Sequence, residues 1–340
     1  MILGIETSCD ETSVALLEKD GSVKTNLIAS QIERHQPFGG VVPEIASREH
    51  LQHLFPLVSR ALQDGGASWS DLEQIAVTAG PGLIGALLVG VAGAQGLAYG
   101  LGIPIVPINH LEGHIFSPYL QREGAAIPRP PRFLSLVISG GHSSIYDVRG
   151  ESVVMLNRTR DDAIGETFDK VAKFVGLPYP GGPQIEKHAS EGRADRARFP
   201  FAMPQFKDGS IDFSYSGIKA GAIRLAREHH ISVDGDAQLL ADFCATFQQA
   251  LIDQLFDRLE AVWPRLGMPM PAEVVVAGGV AANGALRERM LAWGAARGVT
   301  VRLPEKRYCT DNAAMIAFAA LQKRDGAIDP RRVTARSRIA

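Results

Sequence analysis

Cysteine is scarce in this chain, with three among 340 residues. Cys9, Cys244 and Cys309 lie far apart without a CxxC pair, which excludes a disulfide framework and a cysteine-based zinc ribbon. A few scattered cysteines are typical of a reducing compartment. The first residues, MILGIETSCDE, contain neither the basic residues nor the apolar run of a secretory signal. We therefore predict a cytoplasmic protein.

An excess of either charge is also lacking. The 35 Lys and Arg residues against 37 Asp and Glu give a formal net charge of −2. Because a domain that binds nucleic acid unaided is usually strongly basic, any RNA contact must be local or shared with a partner. Charged residues make up 21% and hydrophobic residues 46% of the chain, which excludes extended disorder. The length predicts about two domains.

No charged residue occurs between Glu73 and Glu112, and the apolar run at 83–101 is long enough to span a bilayer. Eight glycines between residues 80 and 102 weaken that interpretation, and the flanks lack the Lys/Arg asymmetry that orients a membrane helix. We therefore predict a buried helix and no membrane association. A membrane span is the alternative.

Apolar periodicity predicts an α/β fold. The chain begins with strands in a hairpin arrangement, and apolar positions at helical spacing follow between Ile45 and Leu62. Strand 74–80, helix 83–100 and strand 103–109 then alternate, which is typical of a mixed or parallel sheet. Further along, the pattern predicts helices at 164–175, 183–191, 237–262, 283–297 and 312–323, with strands at 273–281 and 300–304.

The Pro- and Arg-rich segment 124–132 marks a boundary between two lobes. Beyond it, residues 137–145 repeat the strand–turn–strand plan of residues 3–12, which indicates a duplication. We predict an N-terminal lobe at 1–128 and a C-terminal lobe at 129–311. The end of the chain, 325–340, is a basic tail that we expect to be frayed; contact with RNA or a partner is the alternative.

The segment HLEGH places His110 and His114 four residues apart, on one face if the segment is helical, so both imidazoles could reach one metal ion. The third ligand would be a distant side chain such as Asp311, which precedes a helical run. The alternatives are cleft-lining or capping histidines and an N-cap role for Asp311. Glu112 does not stand where the HExxH motif of metalloproteases has its glutamate.

Three Gly-Gly turns, at 137–142, 179–183 and 276–283, fit a nucleotide held by backbone amides, although such pairs also mark ordinary tight turns. In RDDAIGETFDK, Asp161 and Asp162 lie near a predicted helix start, where acidic residues favour the helix dipole. Asp169 is further inside that helix and needs another explanation.

Together these segments resemble the TsaD (Gcp/YgjD) family, of bacterial type. The matching motifs are GIETSCDETSVAL (4–16), FGGVVPEIASREH (38–50), AGPGLIGALLVG (79–90), INHLEGH (108–114), ISGGHS (138–143), DDAIGETFDKVAK (161–173), YPGGP (179–183), SYSGIK (214–219), AGGVAAN (277–283) and CTDNAAMIA (309–317). The chain departs conservatively from the family pattern at Ile164, Thr167 and Tyr215.

The resemblance implies a two-lobed fold similar to the actin, sugar-kinase and Hsp70 ATPase superfamily, with a C-terminal helix at about 312–330 packing back on the first lobe. It also implies transfer of threonylcarbamoyl from threonylcarbamoyl-AMP to N6 of adenosine 37 in tRNAs that read codons beginning with adenine. His110, His114 and Asp311 would hold a divalent metal, Fe²⁺ in the family, with Zn²⁺ or Mg²⁺ as alternatives. The substrate would be bound by Val137, Ile138, Ser139, Gly140, Gly141, Asp169, Gly182 and Asn283.

The acceptor amine must lose a proton, so a base is needed. Asp10 and Glu11 are our candidates; the alternative is that they only order the first hairpin turn. The resemblance further implies tRNA as substrate and two protein partners, the paralogue TsaB and the ATPase TsaE, with a homodimer as another arrangement. We expect RNA contacts at Arg122, Arg129, Arg132 and the basic tail. An ATPase or kinase of the same fold and a metalloprotease are the alternative functions.

Overall fold

The computed structural model describes residues 1–121, 123–323 and 326–338. The chain divides into two compact units, unit 1 with residues 1–129 and 304–340, and unit 2 with residues 130–303. The first division lies one residue from the predicted lobe boundary. Unit 2 ends at residue 303, whereas the predicted C-terminal lobe ended at residue 311. The segment after residue 303 belongs to unit 1, where the Tyr308 hydroxyl donates to the carbonyl of Gln121 over 3.3 Å.

Each unit contains a five-stranded mixed sheet. The strands of unit 1 are β1 (Ile2–Glu6), β2 (Glu11–Leu17), β3 (Val23–Ser30), β4 (Gln74–Gly80) and β5 (Ile105–Asn109). Those of unit 2 are β6 (Arg132–Ile138), β7 (Ser143–Arg149), β8 (Ser152–Arg158), β9 (Glu273–Ala277) and β10 (Thr300–Arg302). The helices are α1 (Ile32–His35), α2 (Pro43–Asp64), α3 (Ile84–Leu101), α4 (His110–Phe116), α5 (Ile164–Phe174), α6 (Gly181–Ala189), α7 (Ser216–Glu228), α8 (Ala237–Val262), α9 (Gly284–Arg297) and α10 (Ala313–Leu321).

The two sheets have the same topology. In unit 1 the order is β3-β2-β1-β4-β5, and in unit 2 it is β8-β7-β6-β9-β10 when read in the same sense. In both, the first strand pairs antiparallel with the second and parallel with the fourth. The predicted duplication is therefore confirmed, and so is a mixed sheet built on an opening hairpin.

The central strand β1 is buried along its whole length. Leu3 and Ile5 point to the face covered by α2 and α3, where they belong to one apolar core with Leu54 and Val91. Gly4 points to the opposite face, because side chains alternate along a strand. There α10 lies so close that a Cβ on Gly4 would overlap the carbonyl oxygen of Ala313.

Helix α3 is the predicted apolar helix. By length and composition it could cross a membrane, which for a single helix is weak evidence because core helices pass the same test. Ala86, Leu87, Val91, Ala94 and other residues of one face are buried in unit 1. The opposite face exposes Ile84 and Leu88, so the helix is buried on one side only.

The basic tail is ordered against unit 1 over residues 326–338, so the expectation of a frayed tail is wrong there. Ile328 pairs with Ile105 at the edge of the sheet, and Val333 is buried in the core. The side-chain amide of Gln95 donates to the carbonyls of Pro330 and Val333 over 2.7 and 3.1 Å. These contacts connect residues far apart in sequence, which local charge patterning cannot reveal.

Asp161 has a different role from the one predicted. It accepts hydrogen bonds from the hydroxyls of Ser214 and Ser216 and from the backbone N–H of Tyr215 and Ser216. Burial raises the pKa of Asp161, but these four hydrogen bonds outweigh it and hold the pKa below its ordinary value. Asp161 thus fixes the start of α7, a helix that the sequence pattern did not predict. Its neighbour Asp162 pairs with Lys170 and Lys219.

Tyr215, one of the departures from the family motif, generates a stability prediction. Its ring is fully buried and stacks on Phe213 at 6.0 Å between centroids, and its hydroxyl has no hydrogen-bond partner among the described residues. Because Tyr215→Phe removes an unsatisfied buried hydroxyl and keeps the ring, we expect unchanged stability or a gain of up to about 1 kcal/mol. Phe213→Ala is the control and should cost about 3–5 kcal/mol. Urea unfolding measures the stability of both variants. A clear loss of stability in Tyr215→Phe would contradict the interpretation that the hydroxyl is unsatisfied.

Candidate metal and substrate-binding sites

Helix α4 presents the two predicted histidines on one face. The side chain of Asn109 caps the helix by accepting from the N–H of Leu111 at 2.9 Å, so the helix begins at His110. His114 follows one turn later, and the two rings meet edge to face with centroids 4.7 Å apart. Both side chains are buried. The conditional prediction of a helix at this segment is confirmed.

Asp311 approaches both histidines although it lies far away in sequence. Its Oδ1 is 3.1 Å from Nε2 of His114 and 3.5 Å from Nε2 of His110. The side-chain cap of α10 is Asn312, which accepts from the N–H of Met315 at 3.0 Å, so the N-cap interpretation of Asp311 is wrong. The carboxylate of Asp311 instead completes a group whose three ligand atoms lie within 4.8 Å of one another.

This donor set fits a transition-metal ion. Two imidazole nitrogens and one carboxylate oxygen suit Fe²⁺ or Zn²⁺ better than Mg²⁺, which prefers oxygen ligands. Nδ1 of His110 lies 3.1 Å from Oε2 of Glu6. If that nitrogen carries the proton, the lone pair on Nε2 faces the carboxylate of Asp311. Two acceptors facing each other require a proton or a cation between them.

Without an ion, the electrostatics favour the proton. Burial alone would lower the pKa of His110, but the charges of Asp311 and Glu6 outweigh it and raise the pKa to about 9. For Glu6, burial raises the pKa, and the opposing attraction of His110 leaves it below its ordinary value. A metal cation bound here would take the place of the imidazolium proton.

Asp10 and Glu11 lie at the turn between β1 and β2, in the same unit. The Ser30 hydroxyl donates to Oε1 of Glu11 at 2.9 Å. Burial, with the charge of Asp10, raises the pKa of Glu11 to about 8, so this carboxyl is protonated at neutral pH. Burial also raises the pKa of Asp10.

In unit 2, the turn between β6 and β7 contains Gly140 and Gly141. A Cβ on either would meet no atom of the described residues within 4 Å, and the same holds for Gly182. None of the three has a positive φ. Neither packing nor backbone conformation therefore requires glycine at these three positions, and the exposed backbone is open to close approach by a ligand. Gly278 differs, because its φ is +90° and a Cβ would overlap the carbonyl oxygen of Ile138.

Two of the other predicted substrate residues of unit 2, Asp169 and Asn283, hydrogen-bond the starts of helices. Oδ1 of Asp169 accepts from the N–H of Gly181 at 2.7 Å, which explains the acid inside α5. Asn283 caps α9 and donates to Gln248 at 2.8 Å. The side chains of Val137 and Ile138 are fully buried, so these two residues could contact a substrate only through their backbone. Ser139 is nearly buried and orders the turn by accepting from the N–H of His142.

Sequence reasoning missed two further polar residues, Glu186 in unit 2 and Glu6 in unit 1. Glu186 accepts from the N–H of Gly284 at 2.7 Å and so connects α6 to the start of α9. Glu6 ends the strand ILGIE, where a charged side chain within a buried apolar run was the available signal.

The arginines expected to contact RNA are partly committed to the fold. Arg132 makes two hydrogen bonds to Asp147, at 3.0 and 2.9 Å, and one to the carbonyl of Leu266. Its guanidinium group is therefore not available for contact with RNA. Arg129 donates to Gln322 at 2.7 Å. Arg122 and Arg324 lie outside the described residues. Glu112, which is not in the position of the metalloprotease glutamate, pairs with Lys323 at 2.6 Å.

Solved structures of proteins with different sequences share the fold of this chain. The chain matches HypF from T. kodakarensis with a TM-score of 0.58 and 14% identity, over 94% of this chain and 47% of that one. It matches the activator of 2-hydroxyisocaproyl-CoA dehydratase from Clostridium difficile, solved with bound ADPNP, with a TM-score of 0.52 and 12% identity, over 94% of each chain. At such identities the likeness defines the fold, that of the actin-like ATPases and sugar kinases.

The sequence defines the family. The profile of TsaD, tRNA N6-adenosine threonylcarbamoyltransferase, matches residues 22–318. The enzyme of that name from Desulfitobacterium hafniense is 47% identical over 94% of this chain and 90% of its own length. That from Syntrophobacter fumaroxidans is 45% identical over 99% of both chains. The protein is thus a transferase with an actin-like fold. It belongs to the TsaD family, whose members act on tRNA.

The contrast between Gly140 and Gly278 can be tested by stability. Gly140→Ala should leave the melting temperature unchanged, since its Cβ has open space, whereas Gly278→Ala should lower it clearly because of its positive φ and the overlap with Ile138. Thermal unfolding of both variants followed by circular dichroism is the measurement. Equal destabilisation would mean that packing requires Gly140, and the argument for ligand approach would fail.

Proposed function

We propose that this enzyme transfers the threonylcarbamoyl group of threonylcarbamoyl-AMP to N6 of adenosine 37 in tRNAs that read codons beginning with adenine, in the cytoplasm. The product is threonylcarbamoyladenosine, t6A. The observation that carries the proposal is the convergence of His110, His114 and Asp311 in a chain of the TsaD family. An ATPase of this fold would bind Mg²⁺ through oxygen ligands and has no need of two imidazoles.

In this proposal His110, His114 and Asp311 hold a divalent ion, with Fe²⁺ as first expectation and Zn²⁺ as alternative. When bound, the ion supplies Lewis-acid stabilisation of the negative charge that develops on the leaving phosphate. Mg²⁺ suits this donor set least. The imidazoles must be neutral to bind a cation, so loading of the site releases the proton that His110 holds without it.

Unit 2 would hold the donor nucleotide. Backbone N–H groups of Gly140 and Gly141 can approach phosphate oxygens directly, because glycine has no side chain and no other described residue lies within 4 Å of the Cβ position. Asp169, Gly182 and Asn283 would orient the sugar and base. Asp169 already holds the N–H of Gly181, so it also keeps the start of α6 in place.

The reaction requires a proton acceptor. The N6 amine attacks the carbamoyl carbon, the bond from that carbon to the phosphate oxygen breaks, and AMP leaves while the amine loses a proton. We assign that proton to Asp10. Glu11, with a pKa of about 8, is already protonated at neutral pH and would serve as a hydrogen-bond donor.

Partner proteins belong to the proposal, and we expect the paralogue TsaB and the ATPase TsaE. A Cβ on Gly85 would lie 2.5 Å from Oγ of Ser47, and one on Gly93 would lie 2.6 Å from Cδ2 of Leu54, so α2 and α3 run side by side in the same direction. Their outer surface exposes Leu51, Phe55, Ile84 and Leu88, each about half exposed or more. A contiguous apolar surface of this kind, here called the α2–α3 patch, favours a protein partner.

The near-neutral charge supports shared binding of tRNA. Exposed basic residues of the ordered tail, Arg332, Arg336 and Arg338, would contribute on this chain. A homodimer through the α2–α3 patch is the competing arrangement.

Reconstitution tests the function. The chain is incubated with TsaB, TsaE, a threonylcarbamoyl-AMP synthase, threonine, bicarbonate, ATP and unmodified tRNA, and digested nucleosides are analysed by mass spectrometry. We expect t6A, lost in His114→Ala and retained in His230→Asn, an exposed histidine after α7. Asp10→Asn should lose about 10²–10⁴ in turnover and Glu11→Gln less. Absence of t6A, with ATP hydrolysis by this chain alone, would favour the ATPase alternative.

The α2–α3 patch generates a separate prediction. Leu88→Glu should abolish co-elution with TsaB on size-exclusion chromatography without lowering the melting temperature, because Leu88 is 53% exposed. Leu291→Glu on α9 is the matched control, since Leu291 is 51% exposed in unit 2. Wild-type elution of Leu88→Glu with TsaB would exclude the patch, and conversion of a dimer of this chain to a monomer would favour the homodimer.

A further inference from the structure

Glu6 is anomalous for its position. It ends the central strand β1 and has no exposed surface. Moving an ionised carboxylate into a protein core costs several kcal/mol unless hydrogen bonds or an opposite charge compensate it. No role was assigned to this residue by its sequence motif. The contacts of the Glu6 carboxylate must therefore compensate this free energy.

One of those contacts is with His110 of the candidate metal site. Oε1 of Glu6 accepts from the N–H of Ser8 at 2.5 Å. Oε2 accepts from the Thr78 hydroxyl at 2.6 Å and lies 3.1 Å from Nδ1 of His110. Two neighbouring groups thus hold the carboxylate, and its second oxygen faces the ring nitrogen of His110 that points away from Asp311.

This arrangement selects one form of the imidazole. The Ser8 hydroxyl, also 3.1 Å from Nδ1, can donate or accept, whereas the carboxylate can only accept. The carboxylate therefore favours the tautomer with the proton on Nδ1 and leaves the lone pair on Nε2. Nε2 is the nitrogen that faces Asp311, at 3.5 Å. His114 has no such support, because its buried Nδ1 has no hydrogen-bond partner among the described residues. The two histidines are therefore not equivalent.

We propose that Glu6 is a positioning residue that fixes the tautomer and ring orientation of His110, so that Nε2 of this histidine is presented to the metal ion. Carboxylate–histidine–metal arrangements of this kind raise the basicity of the ligand and typically change metal affinity by about 10- to 100-fold. Thr78 and Ser8 in turn hold Glu6. The inference rests on the proposed function only in taking His110 as a ligand.

The test is Co²⁺ titration of the purified chain, followed by visible absorption, with Zn²⁺ competition. We expect Glu6→Gln to weaken Co²⁺ binding by about 10- to 100-fold, because a neutral amide accepts from Nδ1–H more weakly than a carboxylate and can also donate to an unprotonated Nδ1. Thr78→Val is the matched control: it removes one hydrogen bond from Glu6 but keeps its charge, and should change affinity much less. His110→Ala should abolish the absorption band.

The outcomes separate the inference from the proposed function. If wild type and Glu6→Gln bind Co²⁺ equally while His110→Ala does not bind it, Glu6 has no positioning role and the metal site stands. If the wild-type chain binds no Co²⁺ or Zn²⁺, the metal site and this inference both fall, while t6A formation is judged by reconstitution alone.

A second measurement does not depend on how Glu6→Gln folds. In the Zn²⁺-loaded wild-type protein, ¹⁵N-edited NMR should show an Nδ1–H proton of His110 that is protected from solvent exchange by Glu6, absent in His110→Gln. Ligation of the metal through Nδ1 would leave no such signal and would overturn the proposal.

Discussion

The close docking of α10 onto β1 and α4 is the constraint on which the metal site depends. Gly4 on β1 leaves room for the backbone of α10, and a Cβ on Gly113 of α4 would lie 2.7 Å from Cδ1 of Ile316. Glycine at both positions lets α10 pack against the sheet and α4 at once. Asp311 immediately precedes α10, so this packing brings its carboxylate to the two histidines. A larger residue at Gly4 or Gly113 would displace the third ligand.

The same central strand places the polar groups. Because β1 is covered on both faces, its carboxyl end delivers Glu6 into the interior and the following turn delivers Asp10 and Glu11. Burial is the main cause of the raised pKa of Glu11, about 8, and repulsion from the charges of Asp10 and Asp311 adds to it. An ion held by His110, His114 and Asp311 would relieve that repulsion.

Unit 2 repeats the topology of unit 1 with different chemistry at the corresponding turn. Where β1 is followed by acidic residues, β6 is followed by Gly140 and Gly141, which leave the backbone accessible. The two sheets therefore have the same topology but carry different residues at the turn after their first strand. This agrees with the general observation that chemistry resides in sites built on a fold and not in the fold itself.

Local pattern predicted most elements, because apolar spacing reflects burial directly. Helix α8 was predicted with the bounds it has, Ala237–Val262. Helix α7 was missed although Ile218, Ala222 and Leu225 are buried at helical spacing, since Gly217 and Gly221 weaken the helical signal. The tail and Arg132 were misjudged for another reason. Their partners, such as Gln95 and Asp147, lie elsewhere in the chain, and charge alone does not identify them.

The sequence by itself determined the order of the elements, the spacing of His110 and His114 and the positions of the glycine pairs, because each depends on neighbours within a turn or a strand. Only the tertiary structure decided that Asp311 meets His114 across 197 residues, that Asn312 and not Asp311 caps α10, and that Glu6 stands behind His110. Those contacts follow from how helices pack on a sheet, and such packing is a property of the whole unit, not of any segment.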